Sequence, residues 1–365
     1  MANLTAGKSE KRRNLGRQHS DGGVVDVFCG VGGLSLGFKR AGFRIAAGID
    51  LDEAGRYAFE RYTGGLFINA DVATLDAAVV NRLLGRGQPR VLIGCAPCQS
   101  FSEYNKKSRG SAWNLLPAFA RIIEGAKPDI VSMENVARLV EHQGGRAFKA
   151  FVNRLSRVGY NVSWFVVSSA DYGISQRRKR LILFASKRGY IDLVPPTHRR
   201  PVTLRKAIGK LPRLSRGNFN SSDRFHRAQQ LSDKNVKRLK ITAPGGTWRD
   251  WPKRLRVPCH NTKSGEEFGS VYGRLTWDEI GPTITTQFFK LGTGRFGHPG
   301  QQRALSLREG GMIQTFPRRF QFVAPSEEIA FDRVGRLIGN AVPVRLGEII
   351  AKSIRLHIDE HFSSA

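Results

Sequence analysis

The chain has 365 residues and 40% hydrophobic content, enough for two domains or for one domain with an inserted lobe, and too apolar for a disordered basic protein. Its 59 Lys and Arg against 30 Asp and Glu give a formal charge of +29, which points to a polyanionic partner, above all nucleic acid. No apolar run approaches the ~18 residues of a transmembrane helix, the first twenty residues are basic without an apolar stretch, and four cysteines make no disulfide framework, so a reducing cytoplasm with no membrane partner is expected.

Residues 1–22 read as a flexible basic tail. From Val24 onward short apolar runs recur: Val24–Phe28, Ile45–Ile49, Leu66–Ile68, Val91–Ile93, Ile130–Met133, Trp164–Val167 and Leu181–Phe184. Most are near-continuous and rich in Val, Ile and Phe, as strands buried on both faces are. Helical segments are expected between them, over about Asp52–Tyr62 with Asp52 as N-cap, Leu75–Leu84, Leu115–Glu124 and Arg146–Arg157. Alternating strands and helices predict an α/β fold with a mainly parallel sheet, whose ligands bind beyond the carboxyl ends of the strands. After Pro195-Pro196 this rhythm stops. Between Arg199 and Arg256 stand 17 Lys and Arg against Asp223, Asp233 and Asp250, a net +14 in a loop-rich lobe able to neutralise phosphates. From Leu337 to about His357 a loop and an amphipathic helix return, with Leu346, Ile350 and Ile354 on one stripe.

The chemistry-bearing residues follow the apolar runs. The first run leads into Phe28-Cys29-Gly30-Val31-Gly32-Gly33-Leu34, a glycine-rich turn that lets backbone approach a ligand closely. Asp50 ends the second run, placed to accept from a ribose diol, and Asp71-Val72 follows the third, placed to accept from an adenine amino group; local capping is the plainer role for either aspartate. The fourth run ends Gly94-Cys95-Ala96-Pro97-Cys98-Gln99. Cys95 and Cys98 lack two further ligands at zinc spacing, so no metal is expected; a redox dithiol remains open, and a nucleophile at Cys98 is favoured. Glu134 ends the fifth run at the same sheet edge. Before the seventh run, strand alternation predicts that Gln176, Arg178 and Arg180 point together.

These motifs, with Arg303-x-Leu-Ser-Leu-Arg308-Glu309, Gln314-Thr-Phe-Pro317 and Gly339-Asn340-Ala341-Val342-Pro343, occur in the order found in DNA (cytosine-5)-methyltransferases of the bacterial and phage restriction–modification type, which residues 24–185 and 303–350 resemble. The resemblance implies a Rossmann-like S-adenosylmethionine-dependent methyltransferase sheet with an inserted, smaller, loop-rich DNA-recognition domain. It divides the chain into the tail 1–22, a catalytic and cofactor domain 23–190, a target-recognition domain 191–325 and a returning segment 326–365. Phe28 would stack on the adenine, with Gly30, Gly32, Gly33 and Leu34 near the methionine part, Asp50 on the ribose, and Asp71 with Val72 at the adenine amino group. Pro97, Asn340, Ala341 and Val342 would close the site. Cys29 stands where serine is commoner, and Leu51 where some members place an aromatic against the adenine. Cys98 would attack C6 of a flipped cytosine, Glu134 would bond N3 and the exocyclic amine, Arg178 would address O2, and Arg180 would help fix the pocket.

Double-stranded DNA would be contacted by Gln99, Ser102, Lys106, Lys107 and Arg109 on a loop closing over it, and by Gln176, Arg249, Arg274 and Arg295. Arg308-Glu309 is expected to be a structural ion pair at the base of the lobe. A monomer, located in the cytoplasm at the nucleoid and working beside an independent cognate restriction endonuclease, completes the expectation. The alternatives are an RNA cytosine-5 methyltransferase, a non-catalytic DNA-binding homologue and a dinucleotide oxidoreductase.

Overall fold

A computed structural model describes residues 23–97, 115–214 and 219–362. Its centre is a seven-stranded sheet: β1 (Val24–Val27), β2 (Ile45–Asp50), β3 (Leu66–Asn69), β4 (Val91–Gly94), β5 (Ile130–Val136), β6 (Asn161–Ser168) and β7 (Lys179–Ser186), in the order β3-β2-β1-β4-β5-β7-β6. The first five pair in parallel, while β7 runs antiparallel to both β5 and β6. The sheet is therefore the mainly parallel one expected, and its strand order reverses between β1 and β4, where such sheets open a ligand crevice. β6 extends beyond its apolar run to Asn161 and Ser168, because an edge strand half-open to water tolerates polar ends.

Successive side chains serve opposite faces. Val25, Val27, Leu92, Val131, Met133, Leu181 and Leu183 pack beneath α3 (Ala77–Leu84), α4 (Leu115–Ala126) and α5 (Arg146–Arg157), which follow α1 (Gly33–Arg40) and α2 (Arg56–Thr63) in the chain. Val24, Ile93, Ile130, Ile182 and Phe184 face the other way, toward α1 and the C-terminal helix. The expected returning segment is two helices. They are separated at Ala341–Pro343, where proline supplies no N–H and restrains the residue before it. The second of them, Val344–His361, buries Leu346, Ile350 and Ile354 as its stripe foretells. It lies directly on α1, where a Cβ on Gly37 would sit 2.4 Å from the Glu348 nitrogen.

The basic lobe has short elements: helices at Leu204–Ile208 and Asp233–Ile241, capped by Thr203 and Ser232, a small hairpin (Phe219–Asn220 with Asp223–Arg227), and several single turns. One apolar cluster runs from Leu204, Phe225, Phe288 and Phe296 through Phe316, Phe320 and Phe322 to Val31, Leu36 and Ala58 beneath the sheet's edge. The lobe is thus anchored by shared core rather than by a thin linker. The expected Arg308–Glu309 pair is corrected here. Arg308 forks onto Asp223 at 2.6 and 2.8 Å, and Glu309 is held by both Nη atoms of Arg303 at 2.7 Å. Adjacent residues at the start of a helix point about 100° apart, so each finds a partner elsewhere. Among the described residues no helix is long and apolar enough to cross a membrane.

Candidate active site

The crevice at the strand-order reversal is a cavity of about 310 Å³. Its floor comes from the turn after β1. Phe28 has a left-handed backbone (φ 64°) and donates its N–H to Ile49 O at 2.8 Å, and Phe119 packs edge-on against its ring. Gly30, Gly33 and Leu34 line the wall. Asp50 ties two turns together, accepting from Gly30 N and Asp52 N, each at 2.8 Å. Burial raises its pKa, against the pull of those two N–H groups. Beneath them, burial pushes the Cys29 thiol far up, with Asp26 and Asp50 adding to it.

The opposite wall comes from β4, β5 and β7. Cys95 and Pro97 follow β4, and Asn135 Nδ2 donates to Ala96 O at 3.1 Å, tying that turn to β5. Glu134 is 2% exposed. Its Oε2 accepts from the Cys95 thiol at 2.9 Å. Arg180 Nε lies 2.8 Å from Oε1 at ion-pair distance, but off the hydrogen-bond line, and no described group donates a hydrogen bond to that oxygen. Arg178, also buried, reaches Ile284 O and Ala341 O at 3.5 Å. Asn340, Ala341 and Val342 close the cavity from the C-terminal segment. They approach so nearly that a Cβ on Gly33 would lie 2.2 Å from Val342 O.

Other expected site residues lie elsewhere. Gly32 takes φ 80° beneath the turn and packs on Phe59. Leu51 is 66% exposed between two lining aspartates, Val72 is buried in the core, and exposed Asp71 caps its own turn by accepting from Ala73 N at 2.8 Å. Gln176 and Arg178 are buried while Arg177 and Lys179 are exposed, as alternation has it, and both reach Ile284, but Gln176 neither lines the cavity nor reaches outward. Tight turns, from Gln176 N to Ile174 O (2.7 Å) and from Arg178 N to Gln176 O (3.0 Å), fold the backbone here. Gln176 is instead fully buried, donating to Gln314 Oε1 at 2.7 Å and accepting from Ile284 N at 3.2 Å. Arg274 is likewise turned inward, to His298 O (3.2 Å) and Thr242 O (3.0 Å). Arg249 is exposed over the Trp248 ring, and half-buried Arg295 donates to Gly245 O. Cys98, Gln99, Ser102, Lys106, Lys107 and Arg109 lie outside the described residues.

Two lining residues escaped sequence reasoning, Arg336 and Asp52, which pair at the cavity. Arg336 stands four residues before Asn340 on one helix face, a signal lost when the returning segment is begun at Leu337 and read there as a loop.

The model of the C-5 cytosine-specific DNA methylase family matches residues 23–356. This chain belongs to that family. The methylase is 48% identical over 341 residues to the Type II methylase M.HgiDII of Herpetosiphon aurantiacus, covering 93% of this chain and 96% of that one. It is 30% identical to the Type II methyltransferase M1.HphI of Haemophilus parahaemolyticus, over 90% of this chain and 86% of the relative. A solved E. coli structure, described as a DNA modification methyltransferase encoded within a prophage, shares the fold at TM-score 0.71 and 22% identity, covering 92% of this chain and 99% of its own. The chain is thus a DNA cytosine-5 methyltransferase, a family whose methyl donor is S-adenosylmethionine.

Proposed function

We propose that this methyltransferase modifies C5 of a cytosine flipped out of a specific duplex sequence, through a covalent bond between Cys98 and C6. The observation that carries the reading is Glu134: a buried carboxyl on the cavity wall with Oε2 held by a thiol and Oε1 accepting no hydrogen bond from a described group. S-adenosyl-L-methionine fits the other half of the cavity. Asp50 can accept from a ribose, Phe28 offers a ring, and a Cβ placed on Gly30 would meet nothing within 4 Å, leaving space along the ends of β1 and β2. When bound, this cofactor supplies an electrophilic methyl group.

C5 of cytosine is a poor nucleophile. Addition of the Cys98 thiolate to C6 shifts the C5–C6 π electrons toward C5, and Glu134, bonded to N3 and the exocyclic amine, stabilises the charge that develops on the ring. Arg178 addresses O2, and Arg180 holds Glu134 from the β7 side. Once C5 carries the methyl group, loss of its proton re-forms the C5–C6 double bond and expels the thiolate.

Residues 191–325 act as the target-recognition domain and 326–365 return to the catalytic domain. The basic lobe offsets the cost of unstacking, a few kcal/mol, through phosphate contacts. The printed names of the 48% and 30% identical relatives, both Type II, support a restriction–modification role beside a separate endonuclease. The enzyme works as a monomer on the nucleoid.

Expression in a methylation-free host followed by bisulfite sequencing tests the reading. One short sequence context should become protected, and Cys98→Ser should abolish protection while DNA binding persists. Duplex carrying 5-fluorocytosine at the target should trap a denaturation-resistant adduct on Cys98. Full turnover by Cys98→Ser, or no adduct at a site that is otherwise methylated, would overturn the mechanism.

A further inference from the structure

We infer that Cys95 is a positioning residue: its thiol fixes the rotation of the Glu134 carboxyl at the cavity wall, and so the orientation in which that carboxyl meets the target base. This rests on the role proposed for Glu134. The pairing of β4 with β5 sets Gly94 beside Met133, so the next residues, Cys95 and Glu134, meet at the sheet edge. The contact is direct, with Sγ donating to Oε2 at 2.9 Å. From the other neighbouring strand, Arg180 Nε approaches Oε1 at 2.8 Å but off line. The carboxyl is thus gripped from two sides by different chemistries. The guanidinium alone would favour a carboxyl turned to meet it squarely in a two-point fork. The thiol, bonded to the other oxygen, opposes that rotation. A donor at position 95 thereby sets the rotation in which the carboxyl meets the base, donating to N3 when protonated and accepting from the exocyclic amine.

The test compares Cys95→Ala and Cys95→Val, which carry no donor, with Cys95→Ser, which keeps one. The Ala and Val variants are expected to lose roughly ten- to a hundredfold in kcat, the scale of one hydrogen bond to a charged group. Their KM values for DNA and S-adenosylmethionine, and their Tm, should stay near wild type. Trapping of 5-fluorocytosine duplex should slow in parallel with kcat. Cys95→Ser should recover most of the loss. Wild-type kcat in either donor-free variant, or a Ser variant as slow as Ala, would overturn the inference. If the wild-type enzyme forms no adduct with a methylatable target, it is the mechanism under Glu134 that fails, not the role of Cys95.

Discussion

Asp26 lies in β1, fully buried and facing α1, with Ser35 Oγ donating to Oδ2 at 2.5 Å and its Oδ1 without a hydrogen-bond partner among the described residues. Burial pushes its carboxyl up to about 8; the Ser35 hydrogen bond pulls it down, and Asp50 adds a further push upward. The folded protein therefore holds a proton here that the unfolded chain, titrating near ~4, has released by neutral pH. The group binds more protons in the folded state, so stability must fall as pH rises between those two values, by about 1.4 kcal/mol per unit. From pH 4 to pH 7 that amounts to about 4 kcal/mol, and the fall ends once the folded carboxyl also ionises near 8. Asparagine copies the protonated acid's shape without the titration. Asp26→Asn should match wild type near pH 4 and exceed it by an increasing margin toward pH 8. Urea unfolding of both proteins across that range measures the difference, in which titrating groups remote from position 26 cancel. A stability difference that stays flat with pH would refute the reasoning, because it would mean that Asp26 titrates alike in both states.

Glu309→Gln breaks a fully buried ion pair with Arg303 and should cost about 3–5 kcal/mol in urea unfolding at pH 7. Burial pushes Glu309 up, but Arg303, His298 and the Ser306 N–H outweigh it and hold the carboxyl at about 2, so the wild-type contribution is present above about 4.5 and lost as pH falls toward 2. Gly33→Ala places a Cβ 2.2 Å from a backbone oxygen that cannot swing away, and should weaken S-adenosylmethionine binding about tenfold or more by calorimetry, at ~1–3 kcal/mol of overpacking. Arg274→Ala should destabilise the lobe by ~1–3 kcal/mol while leaving the salt dependence of DNA binding unchanged; a slope reduced by about one phosphate contact would show that the guanidinium grips DNA after all.

The strand ends were readable in advance because buried parallel strands leave near-continuous runs of Val, Ile and Phe, and the reactive residues sit directly after them. Phe28, Asp50, Pro97 and Glu134 meet around one cavity for that reason. Period-two reasoning put Gln176 and Arg178 on one side, and both are buried with Arg177 and Lys179 exposed, but it could not show that Gln176 spends its amide on Gln314 and Ile284. The partner of Arg308 could not be read locally either, as Asp223 lies 85 residues away, and neither could that of Arg336, whose Asp52 lies 284 residues away.

The sequence by itself determined the class of fold, the order of the chemical groups along the chain and the basic lobe set between them, because hydrophobic period, glycine-rich turns and charge are local properties. Which groups touch was decided by tertiary structure. The sheet order puts β4 beside β5 and brings Cys95 to Glu134, and the C-terminal segment returns to lay Val342 over Gly33. Charge tells the same story. Composition counts every arginine of the lobe toward the grip on DNA, but folding commits Arg238 and Arg274 to part-buried backbone carbonyls, which would otherwise lack a donor.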